Sequence, residues 1–456
     1  MRWLVILGLT ITLTMEVAPG RAEDAPAPVS FTREIAPILV KQCLACHGAT
    51  EAKSDYQVTN FETWLQPGAS GEAAITAGDP ASSEVLRLIA SSDADERMPK
   101  EGDPLPPEQV ALVERWIREG AKFDGPDPQA ALSSIIPKPS HPDPPAAYRA
   151  PLPITALAFR PDGGELAVGG YREITIWNPA DGSLLRRIKN VAERTYGLAY
   201  HPNGNLLAAA SGVPGQMGEV KLFDPQQGTL VKDLGTMSDV AFDVAFNADG
   251  SKLAACSADR SIRIYDVAGG QQLTLIEDHA DWVMSIAFSA DGTRLASASR
   301  DKTSKLFEVA TGDAQTTFPD HGQTVFGVSF NADGSQIYTC GADNKIRVWN
   351  PADGKQIAEI GGFGHEIHKV QVRGPQIFSC AADKSVRLHG VEKRDEQRKF
   401  DGLADWAYCL AVNEPSKRVA AGAFDGEVRI WNLEDGATIA SFKAAPGYVP
   451  PAPVTP

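Results

Sequence analysis

Cysteine is scarce in this chain. Six in 456 residues is too few for a disulfide scaffold, which small secreted domains build from dense cysteine. Positive charge is in deficit, with 43 Lys and Arg against 58 Asp and Glu and a formal net charge of -15. That balance excludes the basic footprint nucleic acid needs and the polybasic patch that holds proteins to anionic lipid. Long apolar runs are missing: the longest, residues 3–15, falls short of the ~18 needed to span a bilayer. The chain is too long for one ordinary domain and predicts two or three.

What is present begins with an address. Arg2 gives a positive start, the thirteen-residue apolar run follows, and Gly20-Arg21-Ala22 offers a small-x-small cleavage site. Residues 1–22 read as a secretory signal peptide. The expected mature protein is exported, to the periplasm or beyond, and carries no membrane insertion after cleavage.

Two of the cysteines sit in Cys43-Leu44-Ala45-Cys46-His47. This is C-x-x-C-H, the covalent attachment pattern of c-type haem. Two thiols three positions apart at the start of a helix can each reach one vinyl group of a porphyrin, and the next imidazole then ligates the iron. A zinc site would need a second ligand pair, and residues 23–125 hold no other Cys or His. A redox dithiol would need a preceding strand in an α/β pattern, which is not visible. Cys43 and Cys46 are therefore expected as the thioether anchors of one haem c and His47 as the proximal iron ligand. The same region contains a single methionine, Met98, in Arg97-Met98-Pro99-Lys100. A polar, proline-bearing loop is a poor place for a core residue, and His/Met ligation is a pattern of cytochromes c, so Met98 is expected as the distal ligand. His141, farther along, is the alternative.

Residues 31–39 place apolar side chains at helical spacing before the motif. Residues 107–120 form the best helical pattern, with Val110, Val113 and Ile117 in one stripe widened by Leu112 and Trp116. Pro107 suits the first turn and Gly120 the position after the last. With the Gly78-Asp79-Pro80 turn and the Arg97-Met98-Pro99 loop, residues 30–123 resemble the planctomycete-type cytochrome c domain. The resemblance implies haem cysteines at Cys43 and Cys46, a proximal histidine at His47 and a distal methionine at Met98. Pro106 departs from the family's helix-capping Ser or Thr. Residues 23–128 carry 19 acidic and 9 basic side chains, so the domain is strongly acidic.

Nine prolines in residues 125–153 mark a semi-rigid spacer. Beyond it the chain repeats. An aromatic-polar strand ending recurs at Trp177-Asn178, Phe223-Asp224, Tyr265-Asp266, Phe307-Glu308, Trp349-Asn350, His389-Gly390 and Trp431-Asn432, in steps of 46, 42, 42, 42, 40 and 42. Short alternating runs split by Asp-Gly and Asn-Gly turns mean hairpins. The period and endings resemble WD repeats, each one four-stranded blade of a closed propeller. The sixth unit lacks the aromatic ending and the second has an insertion, 212–218. Each unit reads as complete in chain order, which leaves closure to blade packing or to the spacer.

The expected architecture is multidomain: signal peptide 1–22, a small all-α cytochrome c-like haem domain 23–125, a proline-rich linker 126–150, an all-β seven-bladed WD-repeat propeller 151–445 and a tail 446–456. Aligned units place Cys256, Ala298, Cys340, Cys380 and Gly422 in one small-residue slot of the second strand, and Cys409 in a first-strand row with Ala156, Gly197, Asp243, Ser285, Gly327 and Lys369. No disulfide is expected among them. His279, His321 and His365, with Asp301, Asp343 and Asp383, match the structural hydrogen-bond network of WD repeats. Thr155, Tyr196, Phe242, Met284, Phe326, His368 and Tyr408 form a bulkier row, readable as a partner surface or as inter-blade packing.

Three functions remain. The first is an exported electron carrier that passes single electrons to a protein redox partner, with the propeller as docking or scaffold module. The second is a haem-dependent oxidoreductase with a propeller active site; seven units rather than eight, and no histidine-rich channel, argue against it. The third is a haem-based sensing or binding scaffold, which needs Met98 off the iron. The first places electron transfer ahead of catalysis and assigns no catalytic residue.

Overall fold

The computed structural model describes residues 28–44, 46–48, 52–100, 102–136, 140–319 and 321–449. The leader, Ala45 of the attachment motif, Pro137–Pro139 of the spacer and the end of the tail lie outside them. The chain divides into two compact units, 1–139 and 140–456.

The first unit is helical. A π-helical turn, Phe31–Ile35, runs into α1, Ala36–Gln42; short helices α2 (Phe61–Trp64) and α3 (Glu84–Ala90) follow, then α4 (Pro107–Arg118) and α5 (Leu132–Ile135). Asn60 caps α2 through a reciprocal box with Thr63, which satisfies donors that a helix start otherwise leaves unpaired. In α4, Val113, Trp116 and Ile117 are buried, as the stripe predicts, and Pro107 occupies the first turn. Pro106 offers no side-chain cap. The helix ends in a Schellman motif: Gly120 N–H donates to the Ile117 carbonyl at 2.9 Å and Ala121 N–H to Trp116 at 3.0 Å. Gly120 takes φ +99° there, a region that costs a side chain dearly.

The core of this unit is aromatic. Trp64 stacks on Trp116 at 5.1 Å, and Phe31 meets Phe61 edge-on at 4.7 Å. Trp116 is 1% exposed and donates its indole N–H to the Lys122 carbonyl, so its role is packing. Asp124 accepts from the Thr32 amide at 2.9 Å, tying the end of the domain to its beginning. Residues of the spacer belong to this core too, since Leu132 and Ile135 are buried in it.

The second unit is a propeller of seven four-stranded antiparallel sheets, each in chain order. The blades span 157–188, 194–237, 241–276, 283–318, 325–360, 367–400 and 407–443. Each aromatic-polar ending lies at the end of a third strand. The weak sixth unit is a full blade, and His389 is buried in it. The insertion in the second unit lengthens a hairpin, with Val213 paired to Met217 across a tight turn.

No strand is shared between the first and last blades. The end of the spacer and the segment leading through the first strand, 148–160, close the ring instead. Ile154 N–H donates to the Ala423 carbonyl at 3.1 Å and Tyr148 N–H to Pro446 at 2.9 Å. Cys409 Sγ–H donates to the Ile154 carbonyl, and Asn413 Nδ2 to Arg160. One hydrophobic cluster then runs from Ile154, Leu157 and Phe159 to Val428 and Ile430. Upstream, Tyr148 Oη donates to Glu173 at 2.6 Å, and Arg187 grips the same buried carboxylate.

Candidate functional site

The Cys43–His47 motif lies where α1 ends, not at the start of a helix. Cys43 is the residue after the helix, its N–H bonded to the Leu39 carbonyl at 2.9 Å. Cys46 and His47 then both turn back, donating their amides to the Cys43 carbonyl at 3.2 and 3.0 Å. Two thiols and an imidazole are thereby held on a single turn. The Cys43 thiol is pushed up to about 11 by burial and by neighbouring Cys46, so it is a protonated thiol at neutral pH.

His47 is oriented from behind. Its Nδ1 lies 3.1 Å from the Tyr56 carbonyl, and the Tyr56 ring meets the imidazole edge-on at 5.4 Å. Tyr56 is itself fixed, donating its hydroxyl to the Trp64 carbonyl at 2.8 Å. A carbonyl partner places the proton on Nδ1 and leaves the Nε2 lone pair for a metal, the arrangement of an oriented histidine ligand. Among the described residues Nε2 has no hydrogen-bond partner. The local sequence carries no motif for this support, because Tyr56 acts through its backbone nine residues downstream.

Met98 comes from a different loop. Its N–H donates to Leu88 at 3.1 Å, and the preceding Arg97 N–H to Asp93 at 2.8 Å. The side chain is half-buried and packs on the same core as Cys43 and Leu44. The fold thus gathers Cys43, Cys46, His47 and Met98 into one small domain. Among the described residues, no group of three His, Cys, Asp or Glu side chains is placed to hold a bare metal ion. Iron already held by a porphyrin needs only axial ligands from the chain, and these residues fit that requirement. His141, the alternative ligand, is engaged elsewhere: its Nε2 lies 2.7 Å from the buried Glu219 carboxylate of the propeller.

Residues 43–102 match the planctomycete cytochrome C family. The match begins at the first cysteine of the motif and ends just beyond Met98, so it contains the whole candidate ligand set. The WD domain, G-beta repeat family matches residues 228–266, 270–308, 312–350 and 395–432. No curated protein matches the chain. The chain therefore joins a cytochrome c-type module to a WD-repeat propeller. Each repeat match begins on the fourth strand of one blade and ends at the third strand of the next, in blades three, four, five and seven.

The propeller's channel is a cavity of about 980 Å³ lined by the first strands. Lys369 Nζ reaches Asp243 at 2.8 Å, and Ser285 Oγ donates to the same carboxylate at 2.7 Å. Burial opposes the Lys369 charge, but Asp243 more than offsets this and holds the ammonium above its usual range. The row alignment contains these residues, yet only the closed ring brings them together across three blades. All four propeller cysteines are buried and free. Burial raises their thiols, Cys380 to about 12, which makes them poor nucleophiles.

The histidine network is present in two blades. His279 Nδ1 meets Asp301 at 2.7 Å and Nε2 meets Ser297 at 2.7 Å. His321 bridges Asp343 at 3.1 Å and Thr339 at 2.6 Å, and Trp349 donates its indole N–H to the same Thr339 hydroxyl. His365 corrects the expectation. The first two histidines precede their first strands by four residues and His365 by two, so buried Phe363 takes the network position. Asp383 instead accepts from Gly364 N–H and pairs with Arg387 at 2.9 Å. The bulkier row is half-buried around one mouth of the channel.

Proposed function

We propose that this chain is an exported electron carrier. Cys43 and Cys46 would hold one haem c through thioethers, and His47 and Met98 would ligate its iron. The observation that carries the reading is the single turn holding both thiols beside an imidazole whose Nδ1 is committed to the Tyr56 carbonyl. A haem held there supplies a one-electron iron couple. The chain's own part is positional: Tyr56 fixes the His47 ring, the aromatic core holds the turn, and the Arg97–Pro99 loop presents the Met98 thioether, a ligand that raises reduction potential. The propeller serves as the docking module for a protein redox partner, and residues 1–22 direct export.

The exported protein should start at Glu23 and contain one haem per chain by alkaline pyridine spectrum and intact mass. Met98→Ala should convert a low-spin spectrum to high-spin and lower the potential. Two haems per chain, none at all, or an unchanged axial spectrum in the variant would overturn the assignment.

A further inference from the structure

Blades four and seven carry the same dipeptide at the same place, Asp281-Trp282 and Asp405-Trp406. The local geometry is the same as well. Each aspartate accepts from its tryptophan's amide, at 2.8 and 2.9 Å. Each tryptophan carbonyl accepts from the residue that follows the second strand, Arg300 at 2.8 Å and Phe424 at 2.9 Å. That residue is where the blades differ. In blade four the Arg300 guanidinium lies over the Trp282 ring, 4.4 Å from its centroid, with Nε 3.4 Å from Asp281. The ring and the carboxylate together satisfy one cation.

Blade seven keeps the ring and the carboxylate but has no arginine at the position after its second strand. Phe424 stands in its position, 46% exposed, and Trp406 is 38% exposed. The two rings lie 5.9 Å apart, and Tyr408 joins them at 5.7 Å from Phe424. His365, freed from the network position, stacks on Trp406 at 5.8 Å. Glu366 reaches the cluster through His368, which stacks on Tyr408 at 4.6 Å and lies 3.4 Å from the Glu366 carboxylate; burial first, and then Glu366 and Asp405, raise the Tyr408 phenol. Among the described residues Asp405 forms no ion pair.

We infer that the Trp406–Tyr408–Phe424 cluster, with Asp405 and Glu366, receives an arginine side chain from a partner protein. The chain's own blade four shows the ligand such a pair takes. A guanidinium matches it better than an ammonium, because a planar cation can stack on the ring and still reach a carboxylate. The inference adds partner chemistry to the docking role proposed above and rests on that role only for the partner being a redox protein. It is read on the propeller, so it and the haem assignment can fail separately.

The test titrates the purified full-length protein, labelled with ¹⁵N, with the peptide acetyl-Gly-Gly-Arg-Gly-Gly-amide, following the Trp406 indole N–H resonance. Citrulline replaces arginine in the control peptide, keeping shape without charge. Saturable shifts are expected with the arginine peptide and about tenfold weaker binding with citrulline. Phe424→Arg should close the site by restoring the blade-four arrangement, with an unchanged Tm, and Asp405→Asn should weaken binding. Asp313→Asn removes one exposed charge elsewhere and should leave binding intact. Equal binding of the citrulline peptide, full binding by Phe424→Arg, equal losses in Asp405→Asn and Asp313→Asn, or no saturable shift would each overturn the inference.

Discussion

At the scale of single residues, the two engaged histidines and His365 form an internal experiment. His321 is 3% exposed and bonded through both nitrogens. His321→Ala leaves a cavity and takes one partner each from Asp343, which keeps Arg347, and Thr339, which keeps Trp349, so a loss of about 2–4 kcal/mol is expected. His365→Ala should stay within about 0.5 kcal/mol of the parent. Urea unfolding of both variants decides the point, and equal losses would contradict the displaced register. The same network sets an acid limit. Burial works to raise the Asp301 carboxyl, but His279 and Thr303 more than offset it and hold the group well below the usual carboxylate range. A carboxyl depressed in the folded state contributes stability above its unfolded value of about 3.9. That contribution is lost as pH falls through the folded value. Asp301→Asn should therefore flatten the fall in urea midpoint below pH 4.

At the scale of elements, the sequence was most legible where one face alone decides the outcome. The α4 stripe, its Pro107 start and its Gly120 stop all follow from local chemistry. Gly120→Ala should cost about 1 kcal/mol by forcing a side chain into positive φ. Trp116→Ala should cost about 3–5 kcal/mol because it empties the centre of the aromatic core. Both are measured by thermal melts of the helical unit's transition. Blade two was less legible. Its insertion breaks the repeat in sequence, yet 207–213 and 217–223 pair along their whole length. Gly218 there passes so close to the Asp239 carbonyl that a Cβ would collide with backbone. Gly218→Ala is thus expected to destabilise the propeller, while Gly215→Ser, in open space at the hairpin tip, should be far milder.

At the scale of the whole molecule, the open question in the sequence was closure. A propeller that shares no strand must hold its first and last blades together in another way, and here residues 148–160 do it. Tyr148 is bonded at both ends, through its amide to Pro446 and through its hydroxyl to Glu173. Tyr148→Ala should cost about 2–4 kcal/mol, since it removes a buried ring and leaves the Glu173 carboxylate with Arg187 alone. The observable is a lower urea midpoint for the propeller with the haem spectrum unchanged.

The attachment motif, the aromatic core helix and the seven-fold repeat were determined by sequence alone. Each depends on spacing along the chain: thiols one turn apart, apolar residues every three or four, strand endings about 42 apart. The carbonyl behind His47, the Lys369–Asp243 pair, the Trp406–Phe424 ring pair and the strap that closes the ring were decided only by tertiary structure. These join groups that are distant in sequence, or that act through backbone, and no periodicity records such a contact.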